Sequence, residues 1–90
     1  MKENDNFEKE LEKLRKDIDK IDNKIIELLG KRGIIAQKIG TLKRRLNKDI
    51  FQPQREKEII EGIKRKSTVL KAISVEAIWR EIIDACKLIQ

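Results

Sequence analysis

The chain has no histidine and no tyrosine, one cysteine (Cys86), one proline (Pro53) and only three aromatic residues, Phe7, Phe51 and Trp79. Without histidine there is no imidazole base and no Cys–His nucleophile, and a lone thiol cannot make an ordinary zinc site. No disulfide can close within the chain, and a reducing cytoplasmic setting is expected. The opening MKENDNFEKE is rich in charge and lacks the apolar core of a secretory signal. No apolar run reaches the roughly 18 residues that would span a bilayer. So few aromatics leave little to stack on single-stranded bases, and the cations alternate with Glu and Asp instead of forming a patch or arm. Neither nucleic acid nor a membrane is therefore expected as a partner.

Charge and aliphatics fill the space. Of 90 residues, 42% are charged and 39% hydrophobic, with a net charge of +6. That balance fits amphipathic helices, and the fold class expected is all-α, with residues 1–90 forming one domain. The positive balance points to an anionic partner.

From Leu11 to Leu46 the aliphatics Leu11, Leu14, Ile18, Ile21, Ile25, Leu28, Ile35, Ile39, Leu42 and Leu46 recur at alternating steps of three and four. Such spacing keeps them on one stripe of a single helix, expected from about Asn6 to Leu46. The stripe would run for about 54 Å, too long for the remaining residues to cover, so a second copy of the chain is expected on it. Asn47, Lys48 and Asp49 read as a polar break. Pro53 suits the first position of a second helix ending near Lys66, with Ile59, Ile60 and Ile63 facing inward. Ser67 to Ile73 reads as a connector, and Ser74 as the N-cap of a third helix with an inner stripe of Ile78, Ile82, Ala85 or Cys86, and Ile89.

One member of the long stripe is missing: position 32 is an arginine. A cation buried there without a counter-charge costs several kcal/mol, so it requires either a protein carboxylate or an anionic ligand. A polar residue that sets coiled-coil register and a ligand-binding residue are equally compatible with the stripe alone. Gly30 and Gly33 flank it and suit close approach by a helix or ligand. Eleven residues on, Lys43 lies about 16 Å farther along the helix and only about 20° around it, so it and Arg32 could converge on one small anion. Arg15 occupies the position equivalent to Lys43 but about 25 Å back from Arg32, within reach of a site on an antiparallel partner and not of its own. A dimer with two sites, each built from both chains, follows. Arg55 and Glu56 taken alone read as a surface arginine and a carboxylate favoured by the helix dipole. Cys86 and Gln90 lie four apart, on or beside the inner stripe of the third helix.

The stretch LRKDIDKIDNKIIELLGKRGIIAQKIGTLK, the pair Arg55-Glu56 twelve residues after Lys43, and the closing IIDACKLIQ together resemble the all-helical chorismate mutases. The resemblance covers about residues 11 to 90. It implies an intertwined homodimer of three-helix subunits that rearranges chorismate to prephenate, with no cofactor or metal. By position, Arg15 would come from the partner and Arg32 from the same chain, each on a substrate carboxylate. Lys43 would contact a carboxylate and the ether oxygen, Arg55 would support the carboxylate end, Glu56 would bind the ring hydroxyl and Gln90 would donate to the ether oxygen. Gln52 stands where the family often has aspartate, and Cys86 where serine is common and a stronger donor. Two rival readings are an isochorismate pyruvate lyase on the same scaffold and a non-catalytic coiled-coil or regulatory module.

Overall fold

A computed structural model describes residues 2–49, 52–66 and 69–90, which form three helices and, among the described residues, no strand. They are α1 (Lys2–Arg45), α2 (Pro53–Lys66) and α3 (Ala72–Leu88). Phe51 and Ser67 lie outside the described residues. The fold is all-α, as expected.

α1 begins earlier than Asn6 because Glu3 and Asp5 occupy its first turn, where carboxylates favour the positive end of the helix dipole. It ends just before Asn47, which adopts the left-handed conformation at φ 55°. The Asn47 N–H donates to the Arg44 carbonyl at 3.3 Å and the Lys48 N–H to the Lys43 carbonyl at 2.8 Å. This is a Schellman closure, with asparagine in the place usually given to glycine. α2 starts at Pro53 as expected, and the Glu56 N–H closes its first turn onto the Gln52 carbonyl at 3.2 Å.

α3 departs from expectation twice. Its N-cap is Lys71, whose side chain makes no capping bond, and not Ser74. The Lys71 carbonyl accepts from the Ser74 and Val75 N–H groups at 3.0 and 3.1 Å. Val75 is buried, so packing draws this turn into the helix ahead of the serine cap, a signal worth only about 1 kcal/mol. The inner face is partly rotated: of the expected stripe Cys86 is buried and Ile82 half-buried, whereas Ile78 and Ile89 are exposed and Val75 and Ile83 are buried in their place. α3 carries aliphatics on two adjacent lines, and helical period cannot say which of them a neighbour covers.

The chain falls into two compact units, Met1–Lys31 and Arg32–Gln90. The first is a bare stretch of α1 on which Leu11, Leu14, Ile18, Ile21, Ile25 and Leu28 all stand exposed. In the second, α2 and α3 pack together in opposite directions, with Lys64 near the end of α2 bridging to Glu76 near the start of α3 at 3.4 Å. Ile60 is buried at their contact face and Ile59 and Ile63 are half-buried, as the spacing predicts. The α1 segment of this unit buries Gly33, Ala36 and Gly40, spaced three and four apart. A Cβ on Gly33 would come within 3.2 Å of Ile89 Cδ1, so the expectation of close approach holds there. Among the described residues nothing lies within 4 Å of a Cβ on Gly30.

Candidate functional site

The unit Arg32–Gln90 contains a pocket of about 270 Å³. α1 supplies Arg32 and Lys43, both half-buried and eleven residues apart on one face. The start of α2 supplies Gln52, Arg55 and Glu56, and the end of α3 supplies Cys86, Lys87 and Gln90. Ile35, Ile39, Ile59 and Ile83 make the apolar wall. Among the described residues four cationic side chains and one acidic one line it, a balance that concentrates small anions.

Each polar group is positioned by local structure. The Schellman turn fixes the backbone at Lys43, and the Gln52 side-chain amide donates to the Asp49 carbonyl at 3.4 Å. Arg55 is mostly exposed and pairs with Glu58 one turn on, at 3.5 Å. Glu56 has only 13% of its side chain exposed and lies against two α3 cations: Lys87 Nζ is 3.2 Å from Oε2 and Arg80 Nη1 is 3.9 Å from Oε1. The Lys87 ammonium titrates above its ordinary 10.5, raised first by its hydrogen bond to Glu56 and also by the charges of Glu56 and Asp84, with desolvation opposing. A raised value in the folded state means that this contribution is complete below 10.5 and is lost only as pH climbs through the folded value, so the contact is a cation's throughout the neutral range.

Gln90 is held by α1. Its backbone carbonyl accepts from Arg44 Nη1, and the same guanidinium donates through Nη2 to Thr41 Oγ1 at 3.3 Å. A Cβ on Gly40 would lie 2.6 Å from the Gln90 carbonyl oxygen and 2.9 Å from its Cα, so no larger residue fits without displacing Gln90. The Gln90 side-chain oxygen is buried with no hydrogen-bond partner among the described residues. A buried orphan of this kind costs about 1–3 kcal/mol, which a bound donor would recover.

Seven of the residues singled out from the sequence, Arg32, Lys43, Gln52, Arg55, Glu56, Cys86 and Gln90, therefore line one pocket. Arg15 does not; it lines a separate cleft with Asp5, Glu8 and Glu12. Sequence reasoning missed Lys87, Arg80, Gly40 and Arg44. Arg80 and Lys87 stand three before and four after Ile83, which places both beside the buried line of α3, and that spacing was the available signal. Gly40 and Arg44 act on a residue far along the chain, and nothing local marks them. Among the described residues no group of His, Cys, Asp and Glu is arranged to hold a metal, and no helix is long and apolar enough to cross a membrane. The arrangement can grip a small dianion and donate to negative charge developing within it.

A family model for chorismate mutase type II matches residues 14–90. The bifunctional chorismate mutase/prephenate dehydratase of Aquifex aeolicus (strain VF5) is 43% identical over 82 residues, 86% of this chain and 23% of that protein. The chorismate mutase of Methanocaldococcus jannaschii is 40% identical over 55 residues, 61% of this chain and 56% of that protein. The chain thus spans less than two thirds of the length of either relative. No solved structure gives a significant match.

Proposed function

This chain belongs to the type II chorismate mutase family, and from that premise we propose that it converts chorismate to prephenate for aromatic amino acid biosynthesis. The observation that carries the reading is the convergence of Arg32, Lys43, Arg55 and the Gln90 amide on one pocket, where Glu56 is the one acidic side chain among the described residues. The reaction is unimolecular: the ether carbon–oxygen bond breaks as a new carbon–carbon bond forms, and no proton or group is exchanged with the protein. The chain must therefore restrain a flexible dianion in its reactive shape and stabilise charge growing on the ether oxygen. Arg32 grips a carboxylate and Arg55 supports that end. Lys43 bridges a carboxylate and the ether oxygen, Gln90 donates to the ether oxygen, and Glu56 accepts from the ring hydroxyl. Gln52 and Cys86 complete the lining. A rate gain of roughly 10⁶ corresponds to about 8 kcal/mol. One preorganised donor to developing charge supplies about 2.7–4 kcal/mol, so Lys43, Gln90 and conformational restraint account for the gain without a general base.

A homodimer completes the site. The exposed aliphatics of α1 support it, because each such side chain, about half exposed in the single chain, contributes on the order of 1 kcal/mol when a partner covers it. The second carboxylate is then taken by Arg15 of the partner subunit.

The test is chorismate turnover by purified protein. Prephenate should form one for one with chorismate lost and without pyruvate. Pyruvate release would favour a lyase, and no turnover at high protein concentration would leave a non-catalytic module. Gly40→Ala is a sharper check on the Gln90 end. The substitution should favour helix α1 by about 1 kcal/mol. Because its Cβ meets the Gln90 backbone at 2.6 and 2.9 Å and dislodges that residue, kcat should fall about tenfold or more, and the lost Gln90 contacts should offset the helix gain so that the thermal midpoint does not rise.

A further inference from the structure

Glu56 poses a problem for a pocket that takes a dianion: its carboxylate repels the ligand it is meant to position. The structure answers with a residue outside the set that the resemblance supplied. Lys87 Nζ lies 3.2 Å from Oε2 and 3.4 Å from Oε1 of Glu56, so a single ammonium meets both oxygens and fixes the plane of the carboxylate. Lys87 is itself steadied by Asp84 at 3.5 Å, on the more exposed side of α3. Arg80 adds a second, longer contact to Oε1 at 3.9 Å. Both side chains of the central pair are largely covered, at 27% and 13% exposure, so the contact is less screened than an ordinary surface pair. Each carboxylate oxygen offers more than one acceptor direction, and Glu56 keeps capacity for a substrate hydroxyl while bound to Lys87.

We propose that Lys87 is a positioning residue that acts through Glu56: it orients the carboxylate towards the ring hydroxyl and offsets its charge, so that a dianion can enter beside it. The proposal rests on the chorismate mutase reading. It assigns Lys87 no direct contact with the substrate, which separates it from a further anion grip, and it makes the value of Lys87 depend on the charge at position 56. Because Glu56 holds the hydroxyl in ground state and transition state alike, the loss should fall mainly on KM.

The experiment is a kinetic double-mutant cycle on the whole chain with chorismate, comparing wild type, Lys87→Met, Glu56→Gln and the double variant, with Lys87→Arg as the conservative control. Lys87→Met should lower kcat/KM about tenfold, chiefly through KM, and Lys87→Arg should stay within about threefold of wild type. In the Glu56→Gln background, Lys87→Met should change kcat/KM by less than about twofold, because the charge that it offsets is gone. Equal losses in both backgrounds would overturn the proposal and make Lys87 a substrate grip. No loss in the wild-type background would reduce the pair to a surface contact. Far-UV circular dichroism and thermal midpoints establish that the variants fold, and if Lys87→Met does not, Lys87→Gln replaces it in the same cycle. Wild-type protein that fails to turn over chorismate would remove the functional reading and this proposal together. Active wild type with additive variants removes this proposal alone.

Discussion

Replacing Lys43 by alanine is expected to lower kcat for chorismate by about 10²–10³, with a smaller change in KM. Lys43 is half-buried in the last turn of α1 and lines the pocket. Its proposed contact with the ether oxygen strengthens as the carbon–oxygen bond breaks, so its removal falls on the transition state more than on the bound substrate. Alanine favours the helix, and the closure at Asn47 uses only backbone groups of Lys43, so the fold should survive. Steady-state kinetics at saturating chorismate measure the effect. A variant with unchanged kcat and raised KM would make Lys43 a simple carboxylate contact.

Arg32→Ala and Arg15→Ala should each lower kcat/KM by about 10² or more, since each removes the charge-assisted, two-pronged grip on a substrate carboxylate proposed for it. The expectation for Arg15 is the less obvious one. Its cleft on α1, shared with Asp5, Glu8 and Glu12, has nothing of a catalytic site about it. Were Arg15 only a surface cation of its own chain, its replacement would change activity by less than about twofold. Arg32 differs, being half-buried in the pocket itself, and its loss should also weaken binding of any dicarboxylate analogue.

Much of this protein is legible in its sequence, for identifiable reasons. Pro53 and the basic run closing α2 bracket that helix, because proline at a first position and lysine at the negative end of the dipole are strong local signals. The long stripe of α1 is equally plain, and its exposure in a single chain is the counterpart of the expectation that a second chain covers it. What escaped was decided by packing. Ser74 is a sound cap by type, yet burial of Val75 begins the helix at Ala72. Two neighbouring aliphatic lines on α3 put the expected inner face partly on the wrong one, because only packing against α2 selects between them. At the site, the step from Arg32 to Lys43 could be read from helical geometry. The presence of Arg55, Glu56 and Gln90 in the same pocket came from the resemblance, since no periodicity links residues on three helices. Lys87 looked like one more solvated charge because its partner, Glu56, lies thirty-one residues away on another helix.

The central claim is a site made from two chains that rearranges chorismate, and subunit mixing tests it most directly. Arg15→Ala and Arg32→Ala proteins, each nearly inactive, are combined in equal amounts under conditions that exchange subunits, and chorismate turnover is followed. In a mixed dimer one site lacks both arginines and the other has both. With half the dimers mixed, activity should recover to about a quarter of the wild-type value. Recovery no greater than the average of the two parents, with exchange verified, would contradict the shared site.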